Sequence, residues 1–395
     1  MATEASPARL TAAGLSRDGD RGVTGPLQGH HHEAYAIVLP PGHPLGADYT
    51  RGKLRVRREN LRWFDRRTFA SEEKLLMALR GRVSRIPPCA EFTEGLFLQG
   101  FVEGRTLPRA RFGLGRLSGR HVRQLGELFG QLAAIKHGEL SLELLPEEPQ
   151  GPEGGSRPPV RDGDSAGFLG RLIDFTQFQV YGEHVGEFGA LFEGLGISAT
   201  SLKGLRERSM ELTERPFSLV HGDLHRRNLI VDAAGDLWFI DWELAMIGDP
   251  LYELATHLHL MDYPDCDTRR VKRVWREAVE AARPGASDGW ERDLPQLLAF
   301  KRAQSVYTDV IRTAAALMAG AGMLALVAGA VAVAGPPGAG AGPGPRCLRL
   351  ARAAGRIQRV LAVAKEALGL PAVPTRARIR AVYGEWLRER AERRG

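Results

Sequence analysis

The spacing of apolar and polar positions changes period several times along the 395 residues. From Gln28 to Leu107 it is mostly strand-like: Tyr35, Ile37 and Leu39 alternate in AYAIVL, and Leu54 and Val56 alternate in KLRVR, as in half-buried strands. FASEEKLLMALRG then puts Phe69, Leu75, Leu76 and Leu79 on one helical face, with Gly81 as a natural stop. GLFLQGF predicts a further strand, left through Val102, Glu103 and Gly104. Past it, Ser118 to His137 predicts a long amphipathic helix, residues 167–195 and 202–213 continue in helical period, and residues 218–240 hold a short hairpin pattern. The remainder is helical, ending in two Arg-rich amphipathic helices after a Gly/Pro linker at 335–345. No repeat of 20 to 50 residues is evident.

A small strand-rich part followed by a larger helical part implies an α+β fold, with a cleft at the junction, where pockets form most readily. The boundaries expected are a disordered leader over 1–26, a strand-rich lobe over 27–104 and a helical lobe over 105–312. An Ala/Gly/Pro-rich helix and linker over 313–345 and basic helices over 346–395 complete the chain. Within the helical lobe, the Pro/Gly/charge-rich stretch 145–164 reads as a surface insertion, either a substrate lid or a plain loop.

With 43% apolar positions the chain can bury two cores. Its three cysteines are odd in number and lack a CxxC pair, which fits a reducing, cytoplasmic setting and no zinc framework. The net charge of +7 suggests a polyanion partner until it is divided: residues 346–395 hold 13 basic against 4 acidic side chains, leaving the body 41 against 43. The body therefore has no general field for nucleic acid. The tail places Leu348, Leu350, Ile357, Val360, Leu361 and Val363 at helical spacing, an apolar stripe to pack on the body while Arg faces solvent. The N-terminus lacks the charged-then-apolar order of a secretory signal. Thr313 to Ala334 is free of charge and, at 22 residues, long enough to span a bilayer, yet 13 of them are Ala or Gly. A soluble helix is expected there, with membrane association as the alternative.

The most informative run is HGDLHRRNLIVDAAGDLWFID, His221 to Asp241. Asn228 precedes the apolar run Leu229 to Val231, AAGD supplies a turn at 233–236, and the second run ends in Asp241. The hairpin brings an amide oxygen and a carboxylate to its open end, an oxygen donor set suited to Mg²⁺ completed by phosphate and water. Asp223, on the entering loop, reaches the same point and can orient a hydroxyl and take its proton during phosphoryl transfer.

These residues, with GDPLYELA from Gly248 to Ala255, resemble the aminoglycoside phosphotransferase and choline kinase superfamily. The resemblance implies a two-lobed protein-kinase-like fold with a small antiparallel-sheet N-lobe, and an ATP- and Mg²⁺-dependent enzyme phosphorylating a hydroxyl of a small molecule. The expected acceptor is antibiotic-like or amino-sugar-like; a choline-, fructosamine- or homoserine-type kinase and a nucleotide-binding pseudokinase are the alternatives. The acidic MDYPDCD stretch, with Asp262, Asp265 and Asp267, is either a surround for a cationic acceptor or a loop.

Carried over by position, the resemblance makes Asp223 the base and Asn228 and Asp241 the Mg²⁺ ligands. His221 braces the loop, and Asp249 is a buried structural carboxylate. His225 either touches the transferred phosphate or packs the loop. Trp242 and Glu243 neighbour the metal. The glycine loop falls in QGHHHEAYAI with Gly29 at its bend, where His30, His31 and His32 read as exposed loop. Lys53, Arg55 and Arg57 share one face of the third strand. Of these, Arg57 is expected on the phosphates and Glu72, or alternatively Glu73, as its partner. Gln99, Gly100, Phe101 and Val102 are expected along the adenine.

Overall fold

The computed structural model describes residues 6–27, 29, 31–58, 62–108, 116–146, 160–330 and 345–393. The chain divides into two compact units, residues 1–146 with 214–288, and residues 147–213 with 289–395.

The first unit opens with α1 (Pro7–Leu15) and a five-stranded antiparallel sheet of β1 (Val23–Leu27), β2 (His32–Val38), β3 (Arg51–Arg57), β4 (Cys89–Thr93) and β5 (Leu96–Gly100), in the order β1-β2-β3-β5-β4. Between β3 and β4 lies α2 (Glu72–Leu79), capped by Ser71 and burying Leu75, Leu76 and Leu79. This is the small antiparallel sheet that the α+β, kinase-like reading predicts. It differs in two respects. Residues from Ser6 to Leu27 are not a loose leader: Ser6 caps α1, Pro7 starts it, and Ala8 and Ala12 are buried. Both alanines join Tyr35, Ile37, Leu54 and Leu98 in one core. Because α1 covers β2, Ala34 to Ile37 are all buried and the half-buried alternation does not hold there.

The rest of this unit is mainly helical. It comprises β6 (Arg105–Thr106), α3 (Gly119–Ala134), β7 (Ser218–Val220), β8 (Leu229–Val231), β9 (Leu237–Phe239), β10 (Met246–Gly248), α7 (Pro250–Met261) and α8 (Asp265–Ala282). β6, β8 and β9 form a small antiparallel sheet and β7 pairs with β10, so the five-stranded sheet and the hairpin β8-β9 belong to one unit.

The second unit is helical in its described residues: α4 (Ser165–Phe175), α5 (Val185–Gly194), α6 (Lys203–Ser209), α9 (Trp290–Ala330), α10 (Pro345–Ala364) and α11 (Arg376–Glu392). Aromatic rings knit it together, Trp386 stacking on Phe188 at 5.5 Å and Tyr181 meeting Tyr307 edge-on at 5.9 Å. Of the apolar stripe predicted on α10, Ile357 and Leu361 are buried, whereas Leu348 and Val363 are exposed. Among the described residues no helix is long and apolar enough to cross a membrane. Residues 147–159 of the predicted insertion, 331–344 of the Ala/Gly/Pro-rich stretch, and His30 lie outside the described residues.

Candidate active site

The loop between β7 and β8 is pinned from several sides. Gly222 adopts φ +75°, and a Cβ there would lie 2.7 Å from the Leu244 carbonyl oxygen, so only glycine fits without a shift. Its N–H donates to Glu253 of α7 at 2.9 Å. His221 is buried, and burial lowers its pKa to about 4, so the ring is neutral. Nε2–H donates to the Ile240 carbonyl at 3.2 Å while Nδ1 accepts the Asp223 N–H at 3.3 Å, and Trp242 lies against the ring at 4.5 Å. The predicted brace therefore joins the Asp223 loop to the strand end that carries Asp241.

Asn228 turns its Nδ2 to Asp223, donating to the carbonyl at 2.9 Å and to carboxylate Oδ2 at 3.0 Å. Its own carbonyl accepts from Ile240 N–H at 3.0 Å, and Leu229 pairs with Phe239, so Asn228 and Asp241 occupy the same end of the hairpin. The His225 Nδ1 accepts the Asn228 N–H at 3.2 Å, capping the short turn Arg226–Asn228, with Nε2 4.0 Å from Asp223 Oδ2. Asp241 itself has φ +68°, a left-handed conformation that costs a non-glycine residue about 1 kcal/mol or more. Its side chain remains 41% exposed.

The cations come from β3, one rung earlier than predicted. Arg55 forms a buried ion pair with Glu72 and reaches within 3.7 Å of Asp241 Oδ1 and 3.8 Å of Glu243 Oε2. Lys53 is half-buried beside it, and burial first, then Arg55, lowers its pKa to about 8. Burial acts to raise the Asp241 carboxyl, but Arg55 and Lys53 hold it below the ordinary aspartate value. The partner of Glu72 is thus Arg55 and not Arg57. Arg57 is exposed at the last residue of β3, its guanidinium 5.3 Å over Trp63. Periodicity gave the shared face; only the height of α2 along the strand decides which rung it meets. Glu73 is peripheral, 4.0 Å from Arg55 and accepting from Ser71 at 3.0 Å.

Glu72 also accepts from the Gln99 amide at 3.3 Å and from the Trp242 N–H at 3.2 Å, so one carboxylate bridges β3, β5 and the residue after Asp241. Gln99 is buried against it. Along the connector, the Gly100 N–H donates to Pro88 O at 2.8 Å and the Phe101 N–H to Arg51 O at 3.0 Å. Those two donors are therefore taken up by backbone carbonyls of the same lobe.

His31 and His32 are not a plain exposed loop: the His31 Nδ1–H donates to Glu243 Oε2 at 3.1 Å, and His32 Nδ1 accepts from Arg55 at 2.9 Å. Burial, then Arg55, lowers the His32 pKa to about 4, leaving its lone pair for that bond. Glu243, a neighbour of Asp241 in sequence, also lies 3.5 Å from Arg67. Gly29 is exposed and a Cβ on it would meet only the His32 carbonyl, at 3.3 Å. Among the described residues no group of three His, Cys, Asp or Glu side chains is arranged to hold a metal.

Asp249 is buried, caps α7 through the Leu251 N–H at 2.8 Å, and takes Arg215 in three contacts, Nε at 3.0 and 3.2 Å and Nη2 at 2.7 Å. Sequence reading placed Arg55 on the correct face but chose Arg57 from it, and missed Arg215 and Glu253. Arg215, six residues before His221 at the foot of β7, carries no pattern that would have marked it.

A family model described as the phosphotransferase enzyme family, APH, matches residues 48–300. No curated protein sequence matches. Among solved structures, the macrolide 2'-phosphotransferase MphH from Brachybacterium faecium is similar at 17% identity, covering 72% of this chain and 85% of its own, with a TM-score of 0.44. A choline/ethanolamine kinase family protein from Mesorhizobium loti is similar at 15% identity, covering 94% of this chain and 97% of its own, with a TM-score of 0.45. A thermostable mutant of aminoglycoside phosphotransferase APH(4)-Ia, in ternary complex with AMP-PNP and hygromycin B, shares 16% identity, covering 78% and 92%, with a TM-score of 0.44.

Proposed function

The chain belongs to the phosphotransferase enzyme family, and on that premise we propose that it moves the γ-phosphate of ATP, with Mg²⁺ as cofactor, to a hydroxyl of a small molecule. The observation that carries this reading is the Asp223–Asn228 hydrogen bond at the open end of a hairpin whose other strand delivers Asp241. The donor set fits the ion. With Nδ2 of Asn228 turned to Asp223, its Oδ1 is the atom left to ligate, and Asp241 is kept ionised by Arg55 and Lys53. Hard oxygen donors, few in number, are what Mg²⁺ accepts alongside phosphate. When bound, the ion neutralises charge on the β and γ phosphate oxygens.

The work of this chain's own groups is positioning and proton handling. Asp223, oriented by Asn228, accepts the acceptor's hydroxyl proton as its oxygen bonds to the γ-phosphorus and the bond to the bridging oxygen breaks, releasing ADP. Arg55 and Lys53 supply fixed positive charge against the phosphates, Arg55 locked in place by Glu72. His225 stands between a phosphate contact and its observed capping of the loop.

For the acceptor we favour an antibiotic-like or amino-sugar-like alcohol. The acidic loop supports a cationic acceptor less than its sequence suggests, because Asp267 is buried, accepting from the Leu117 N–H at 3.2 Å and from Arg270 at 2.9 Å. A reducing, cytoplasmic setting belongs to the same proposal and accords with three unpaired cysteines. The test is a screen of hydroxylated antibiotics, amino sugars and amino alcohols, read by ADP release with and without Mg²⁺. Acceptor-dependent release that vanishes in Asp223→Ala supports the reading; nucleotide binding without turnover on any acceptor favours the pseudokinase.

A further inference from the structure

His257 sits in α7 with no exposure to solvent and no part in the chemistry described above. Both of its nitrogens are engaged. The Leu224 carbonyl, which can only accept, lies 2.8 Å from Nδ1, so Nδ1 carries the proton. The Tyr263 hydroxyl, 3.0 Å away, then donates to Nε2. Burial lowers the ring's pKa to about 4, so it is neutral in that tautomer. Phe129 and Tyr263 meet the ring edge-on at 5.7 Å and 5.4 Å.

Leu224 directly follows Asp223, and Gly222 directly precedes it. Glu253 and His257 are four residues apart on α7 and so lie on one face of the helix. One accepts the Gly222 N–H and the other donates its Nδ1–H to the Leu224 carbonyl. The helix therefore holds the backbone on both sides of Asp223. Tyr263, beyond the left-handed Asp262 that ends α7, is tied back to the loop as well: the Arg226 guanidinium lies 5.6 Å over its ring and donates to the Met261 carbonyl at 3.0 Å.

We propose that His257 is a positioning residue of the catalytic loop: through the Leu224 carbonyl it fixes the direction in which Asp223 presents its carboxylate, and Tyr263 holds the ring for that role. The proposal deepens the reading of Asp223 as the base and rests on it. A displacement of the base by an ångström costs about 10²-fold in rate while the nucleotide, held elsewhere, binds as before.

The experiment compares His257→Leu, which removes both hydrogen bonds, with His257→Asn, whose amide N–H replaces the Nδ1 donor, and with Tyr263→Phe, which removes only the hydroxyl. Each full-length variant is measured for kcat and KM with Mg²⁺ and ATP, and for amide hydrogen exchange across 221–228. His257→Leu is expected to lose roughly ten- to a hundredfold in kcat with KM for ATP within about twofold, and to exchange faster in that segment. His257→Asn is expected to recover most of both. Equal impairment of the Leu and Asn variants, or unchanged loop exchange in a folded His257→Leu, overturns the proposal. Should His257→Leu not fold, Tyr263→Phe decides: faster loop exchange supports the brace and wild-type exchange overturns it. A wild-type protein without nucleotide turnover on any acceptor sinks the phosphotransfer reading instead, and loop exchange alone then judges His257.

Discussion

Arg55 and Glu72 form a buried ion pair between β3 and α2, and the same Glu72 carboxylate accepts the backbone N–H of Trp242, the residue after Asp241. The cation we propose for the phosphates and the carboxylate we propose for the metal are therefore held through one side chain.

The first expectation concerns which arginine matters. Arg55→Met should weaken Mg²⁺–ATP binding by at least about tenfold and suppress turnover, because a buried, oriented charge is lost and Glu72 is left without its partner. Arg57→Met, at an exposed strand end, should change either quantity by less than about threefold. Calorimetric nucleotide titration of both variants checks this, and the reverse order would restore Arg57 to the phosphate site.

Asp223→Ala should abolish ADP release while leaving Mg²⁺–nucleotide binding within about threefold, since only the proton acceptor is removed. Asn228 then loses the carboxylate oxygen but keeps the backbone carbonyl of residue 223 as an acceptor. A parallel loss of binding would show that the loop had come apart.

Asp241→Asn keeps the shape of the side chain and removes its charge. Nucleotide affinity should become nearly independent of Mg²⁺ concentration, where the unchanged protein gains affinity as Mg²⁺ is added. Persistence of the Mg²⁺ dependence in the variant would take the ion away from Asp241.

Arg215 and Asp249 are both fully buried at the foot of the loop. Removing one partner by Asp249→Ala strands the other charge and uncaps α7, for an expected loss of about 3–5 kcal/mol in unfolding free energy. Denaturant titration measures it. A loss under about 1 kcal/mol would mean the pair is hydrated.

Stability should also follow the buried imidazole of α7 with pH. His257 has a folded pKa of about 4 against an ordinary 6.5, so as pH falls below 6.5 the unfolded chain takes up its proton first. The contribution is complete above 6.5 and is lost as pH falls toward 4. Between pH 7 and 4.5 the Tm of the wild type should drop further than that of His257→Asn, which has nothing to titrate there. Parallel curves would place this ring in water.

Much of the site was legible because it lies in one continuous run. His221, Asp223, Asn228 and Asp241 fall at spacings that a single short hairpin converts into proximity, and the apolar runs Leu229–Val231 and Leu237–Ile240 announce that hairpin. The Arg55–Glu72 pair was less so: alternation assigns Lys53, Arg55 and Arg57 to one face without saying where along it α2 comes to rest. Arg215 and His257 were not legible at all. Each is defined by a partner brought close by tertiary packing, and neither an arginine before a strand nor a histidine within an apolar helix differs in sequence from an ordinary one. The N-terminal helix escaped notice because its buried residues are alanines, whose small apolar surface hardly registers in a hydropathy pattern.

That same helix bears on how the protein should be produced. Ala8 and Ala12 close over Tyr35 and Ile37, and the Ser6 hydroxyl donates to Glu33 on β2. A shortened expression clone starting near residue 27, an obvious choice for a tail presumed floppy, would peel the lid from a greasy strand and invite clumping in the test tube.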